Sequence, residues 1–341
     1  RNPAQWLIGP LICFHLHQNL ILSCSFEGYR ESCFLMTFLA TPSSTTWAYW
    51  LQWKVLGCAV WVLAPIAVVC FLYRYKTAAQ IHNLSSTDDE TWMPFFVQLN
   101  PIWLLVYRII AFIFFVSVLG VELAARGFGS YFFYTQWTFT LVTIYFGYAC
   151  FLSAYGCHQT LKQRIPLCND METSVQGETQ APLVNDERVK CFPGGKRHWF
   201  LLQLLFQMSG GAVMVTDSVF WCVLYPFYTS KTFSLDFLEI SFHSVNAILL
   251  LGDAALNRLP VGWFGLSYVV LWSGSYVIFQ WVFHAVKAVR WPYEILDLQS
   301  PYAPLWYMAM AVGHLICYGV LMAVVKICRS ILSKCFAEST R

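Results

Sequence analysis

The stretch Leu51–Tyr73, LQWKVLGCAVWVLAPIAVVCFLY, carries a single charged residue, Lys54. A helix crosses the hydrocarbon of a bilayer with about 20 consecutive, mainly apolar residues, and this run meets that length. Six more segments pass the same test, at about 102–121, 132–155, 199–225, 238–257, 264–286 and 305–325. The expected fold is therefore all-α: a polytopic membrane helix bundle of about seven transmembrane helices over 51–325. An N-terminal segment, 1–50, precedes it, and a short cytoplasmic tail, 326–341, follows it. Residues 5–24 form an eighth candidate, interrupted by Gly9 and Pro10 and carrying His15, His17, Gln18 and Asn19 in its middle. A re-entrant piece, a degraded signal sequence and an unordered stretch are all open for it. Residue 1 is Arg, so it need not be the native start.

Composition agrees with that expectation. Of 341 residues, 58% are hydrophobic and only 11% charged, against about 25% charged in soluble domains. The 28 Phe, 15 Trp and 18 Tyr suit lipid-facing helices with aromatic anchors at the interfaces. A net charge of +3 without a continuous basic stripe argues against nucleic-acid binding. Of thirteen Cys, five (Cys58, Cys70, Cys150, Cys222 and Cys317) sit inside apolar runs, where a thiol acts as a small hydrophobe. Cys157 and Cys168 form no zinc pattern, and no metal site is expected. There is no Gly-rich phosphate cradle or haem pattern either, so no cofactor is expected.

The connections are short except for 158–198, which holds Asn169, Asp170, Glu172, Glu178, Asp186 and Glu187 and reads as a polar loop. A second polar linker covers 77–93. With seven helices, thirteen Lys and Arg, among them Arg74, Lys162, Arg197, Arg258 and Lys326, fall on one side. Seven, among them Lys54, Arg126, Lys287 and Arg290, fall on the other, and Arg108 lies within the second helix. The positive-inside rule then places the N-terminus outside and the C-terminus in the cytoplasm. The compartment stays open between the endoplasmic reticulum or endomembranes and the plasma membrane.

Polar groups inside spanning helices are costly, and each is a candidate for function. His243, Asn246, Asp253 and Asn257 share one face of the fifth helix, while Gln203, Gln207 and Asp217 share one face of the fourth. Gly210–Gly211 permits close approach of a neighbouring helix. Thr135, Gln136 and Thr138 open the third helix, and Gln280 and His284 end the sixth. Alternating topology puts Thr135, Asp217, His243 and His284 in one layer near the outer or lumenal face.

Such a layer suits acyl transfer. A Thr hydroxyl needs a base to become a nucleophile, and a neutral imidazole is the suitable one. Thr135 would be the nucleophile, His243 the base and Asp217 the group that orients the imidazole. Gln136 is a candidate oxyanion donor, and Asn246, Asp253 and His284 join it as candidate substrate contacts. A structural reading stands beside this one. Intramembrane Thr commonly bonds its own backbone, a buried His is often satisfied by a carbonyl or an Asn, and Asp217 with Asp253 would also suit a cation path.

The stretches Tyr134–Thr135–Gln136–Trp137, Tyr145–Phe146–Gly147 and His243–Ser244–Val245–Asn246 resemble one known family. So do Trp272–Ser273–Gly274–Ser275–Tyr276, Trp281–Val282–Phe283–His284 and Trp291–Pro292–Tyr293. It is the family of the androgen-induced gene product, the androgen-dependent TFPI-regulating protein and the rolling stone protein, and the likeness covers roughly residues 100–325. The resemblance implies a multi-spanning protein. Two animal members resemble threonine hydrolases of fatty acid esters of hydroxy fatty acids, and the resemblance implies that their Thr and His match Thr135 and His243. The helix at 51–73 and the loop at 158–198 depart from those enzymes, and Trp47–Ala48–Tyr49–Trp50 looks more like plant relatives. The resulting expectation is a membrane-embedded lipid ester hydrolase acting on a fatty-acyl substrate in the bilayer. The alternatives are a transporter and a seven-helix receptor or scaffold with a structural polar core.

Overall fold

The computed structural model describes residues 46–83, 100–174, 195–228, 235–257, 259–287 and 290–338. The candidate segment 5–24, most of the linker after Asn83 and the loop residues 175–194 lie outside them. Among the described residues the chain is a bundle of helices without a sheet. Among these residues seven helices are long and apolar enough to cross a membrane. They are α1 (Trp53–Asn83), α2 (Pro101–Arg126), α3 (Tyr134–Ser174), α4 (Gly195–Val219), α5 (Phe237–Leu256), α6 (Leu266–Lys287) and α7 (Ala303–Glu338). The chain is a multi-pass membrane protein.

Several helices outrun their apolar stretches. Residues 158–174, expected in the polar loop, continue α3, α1 runs on to Asn83 within the expected linker 77–93, and residues 326–338 continue α7. Helical hydrogen bonds need no lipid once a helix is nucleated, and Leu161–Lys162–Gln163–Arg164 are good helix formers. The starts are set more locally. Asn100 caps α2 by accepting from the Ile102 amide at 3.1 Å, with Pro101 in the first turn. Asp236 caps α5 in the same way, accepting from the Glu239 amide at 2.8 Å. Gly127, at φ 67°, ends α2 in a conformation that favours glycine.

Within the membrane stretches of α3 and α4, 56% of residues are buried, against 17% in α1 and α7. The first pair therefore forms the centre of the bundle. α4 packs against α3, α5, α6 and α7. Gly210 and Gly211 make this possible. A Cβ at Gly210 would stand 2.9 Å from Leu321 Cδ2 of α7, and one at Gly211 would overlap Val269 of α6. Between α2, α3 and α5 the rings of Phe115, Phe139, Phe146 and Phe242 interlock, with centroids 4.7–5.2 Å apart. The outward faces are apolar, as at Val60, Val68, Ile110, Ile113, Ile248 and Ile316. Exposed apolar surface on that scale is what a lipid environment accommodates. Tyr276 and Gln280 of α6 both donate to the Phe132 carbonyl, at 2.9 and 2.8 Å, and so fix α6 to the α2–α3 connection.

Candidate functional site

Two of the polar clusters among the described residues centre on α5. The first is ionic and sealed. Arg108 of α2 and Asp253 of α5 are both fully buried, with Nε donating to Oδ1 at 2.8 Å and Nη2 to Oδ2 at 3.4 Å. Nη1 of Arg108 donates to Ser153 Oγ at 2.6 Å. Asp253 also accepts from Asn257 Nδ2 at 2.8 Å and from the Tyr145 hydroxyl. Arg329 of α7 closes one end by donating to the carbonyls of Ala254, at 2.9 Å, and Leu259, at 2.8 Å. Every nitrogen of the Arg108 guanidinium and both Asp253 oxygens are thereby occupied, which is what keeps a buried charge pair tolerable. Asp253 thus takes part in a closed network and is absent from the wall of the cavity described below.

The second cluster surrounds His243. Here two helices widen into π-helical turns, Phe220–Leu224 after α4 and Ser241–Val245 within α5. Such wide turns redirect side chains and are frequent at functional sites. The two turns meet face to face. The His243 ring stacks on Phe220 at 3.8 Å with 2° between planes, and Trp221 Nε1 donates to the His243 carbonyl at 2.6 Å. Asp217 Oδ1 lies 3.8 Å from His243 Nδ1, and Glu239 Oε2 lies 3.9 Å from Nε2. Both separations are too long for hydrogen bonds, and they become charge contacts only when the imidazole is protonated. Asn246 holds Asp217 in place, donating to Oδ1 at 3.1 Å and to the Phe242 carbonyl at 2.7 Å. Glu239 stands 3.8 Å from Arg126, which is 3.2 Å from Glu122, so a chain of charges leads from His243 to the exposed Arg126.

His243 and Thr135 both line one cavity of about 330 Å³, at the lower end of small-molecule pocket sizes. Its wall is mainly apolar and draws on α1, α3, α4, α5, α6, α7 and the α6–α7 connection. Val312 and Leu315 of α7 line it and are also 44% and 51% exposed, so the cavity meets the lipid-facing surface there. Thr135 lies against the hydroxyl of Tyr293, which also accepts from the Tyr134 amide at 3.1 Å. Burial pushes that hydroxyl up to about 12, so Tyr293 keeps its proton at neutral pH.

The residues singled out from the sequence separate in space. Thr135 and His243 share the cavity, and Asp217 touches His243 from behind. No hydrogen bond joins Thr135 to His243 among the described residues: Nδ1 makes none, and Nε2 faces Glu239. Gln136, Asn246, Asp253 and His284 are absent from the cavity wall. Gln136 is buried beside it with Oε1 unbonded. His284 stacks on Trp291 at 4.0 Å in an aromatic group with Tyr49 and Trp50. Glu239, four residues before His243, was not singled out from the sequence, although the i,i+4 spacing is a signal that could have found it. His314, in the seventh apolar run, qualifies by the rule that selected His243, whereas Ser273 and Tyr293 give no such signal.

Among the described residues no group of three or more His, Cys, Asp or Glu is placed to hold a metal ion. Fold and clusters together define a seven-helix membrane protein with a buried polar core and an intramembrane cavity. No known protein family, curated protein or solved structure matches the chain.

Proposed function

We propose that this is a seven-helix membrane protein of the receptor or scaffold type, whose polar core is structural and whose cavity binds a lipid with an apolar body. The observation that carries this reading is the apolar cavity that meets the lipid-facing surface at Val312 and Leu315. A ligand entering there comes from the bilayer and needs no aqueous path. The transporter form of this reading requires Asp217 and Asp253 on one polar passage. Asp253 is instead saturated by Arg108, Asn257 and Tyr145, and the cavity beside His243 is apolar. The test is binding of a fluorescent fatty acid to the purified full chain in phosphatidylcholine nanodiscs. Saturable binding that Ala311→Trp weakens supports the reading, because Ala311 lines the cavity. Equal binding by both forms sinks it.

A second reading, lipid ester hydrolysis, is favoured by one observation: Thr135 and His243 face the same cavity. The resemblance to the androgen-induced family points to the same pair. In that chemistry His243 takes the Thr135 proton, the hydroxyl oxygen bonds the ester carbonyl, and the alcohol departs with the proton. Water then releases the acid by the reverse transfers. Asp217 and Glu239, on opposite sides of the ring, would meet the charge that the imidazole acquires. The reading requires side-chain rotation to bring the pair into hydrogen-bond reach. Its test is turnover of a fatty-acyl ester panel, including esters of hydroxy fatty acids, by wild type, Thr135→Ala and His243→Ala. Activity lost in both folded variants supports it; activity retained in both removes it.

A further inference from the structure

The same cavity wall carries another hydroxyl and imidazole, Ser273 of α6 and His314 of α7. Unlike Thr135 and His243, these two are hydrogen-bonded, with His314 Nε2 at 2.9 Å from Ser273 Oγ. The direction of every proton follows from the neighbours. His314 Nδ1 stands 2.6 Å from the Met310 carbonyl, which can only accept, so Nδ1 carries the proton. In the neutral ring Nε2 is then an acceptor, and the Ser273 hydroxyl must donate to it. With its one proton so committed, Ser273 Oγ accepts from the Tyr134 hydroxyl at 2.7 Å. Tyr134 lines the cavity too, and Thr138 lies against its hydroxyl.

We propose that Ser273 and His314 form a serine dyad that accepts an acyl group from a lipid ester held in the cavity. A base bonded to a hydroxyl, with the far ring nitrogen fixed by an acceptor, is the arrangement that nucleophilic catalysis requires. Here a backbone carbonyl fixes the tautomer and orientation of the ring, as a carboxylate does in a triad, without the carboxylate's charge. The step balances as follows. His314 Nε2 takes the Ser273 proton, Oγ bonds the ester carbonyl carbon, and the C–O bond to the alcohol breaks as the alcohol takes the proton from Nε2. Water completes the cycle: its proton goes to Nε2, its oxygen bonds the acyl carbon, and the carboxylic acid leaves as Oγ regains a proton. Once Oγ bonds carbon it accepts less well, and the Tyr134 hydroxyl becomes available to the developing oxyanion. His243, which borders Glu239 in the first turn of α5, lines the same cavity.

The inference rests on a lipid entering the cavity, and its test separates the two. The full chain in detergent micelles is treated with a long-chain alkyl fluorophosphonate, in which Oγ displaces fluoride to form an Oγ–P bond, and the adduct is located by mass spectrometry. Fluorescent fatty acid binding is measured on the same preparation. The expected result is an adduct on Ser273, absent in Ser273→Ala, with labelling at least about 100-fold slower in His314→Gln. Ser273→Ala should keep the size-exclusion profile of wild type, which shows that it is folded. An adduct on Thr135, or none at all, in protein that binds the fatty acid overturns the dyad and leaves the cavity reading standing. Wild type that binds no fatty acid overturns both.

Discussion

The cluster around Asp253 and the cluster around His243 lie on the same helix, α5, yet they treat charge in opposite ways. At Asp253 three side chains donate to two carboxylate oxygens, and nothing is left over. At His243, Nδ1 and the nearby Asp217 Oδ2 are buried without a hydrogen bond, and both neighbouring carboxylates stand beyond bonding distance. A saturated network holds helices together. An unsaturated one leaves buried polar atoms that no neighbouring side chain satisfies. The difference separates groups that are fully paired from groups that are not, although both satisfied the same sequence rule.

The comparison is most directly broken at the ionic cluster. Asp253→Asn leaves the Arg108 guanidinium buried without its counter-ion and should cost about 3–5 kcal/mol, read as a large drop in thermal midpoint in detergent. Arg108→Met combined with Asp253→Leu should regain most of that loss, since no uncompensated charge remains. A single variant as stable as wild type would show that the pair is not the lock. Next in size, Ala311→Trp fills the cavity and should weaken fatty acid binding at least about tenfold, about 1.4 kcal/mol, with little change in midpoint. Were stability to fall instead and binding to persist, the cavity would be packing rather than a site.

Trp221→Phe removes the 2.6 Å bond to the His243 carbonyl that joins the two π turns. A loss of about 1 kcal/mol is expected in the same melting assay, because a buried acceptor loses its donor. The smallest effect belongs to Asp217→Asn. It keeps an acceptor for Asn246 and removes an unbonded charged oxygen, two changes that nearly offset, so the midpoint should move by less than about 0.5 kcal/mol. Equal losses for Asp217→Asn and Asp253→Asn would erase the contrast between the clusters.

The seven apolar runs and the all-α class were legible in the sequence because lipid imposes a length and a composition on any helix that crosses it. Helical periodicity also placed His243, Asn246, Asp253 and Asn257 on one face of α5. It did not determine that His243 and Asp253 would meet different neighbours. Their offset of ten residues carries them to different depths, where Arg108 waits at one level and Phe220 and Glu239 at the other. By the rule of costly buried groups Ser273 offered no signal, since a hydroxyl in an apolar run becomes informative only through what faces it. Its partner His314 sits 41 positions away on another helix. Sequence alone determined which segments enter the membrane and which costly groups they carry, because both follow from transfer of single residues out of water. Which of those groups are paired, and which line a cavity, was decided by the tertiary structure. Helix rotation and close approach at Gly210 and Gly211 depend on all the packed neighbours at once.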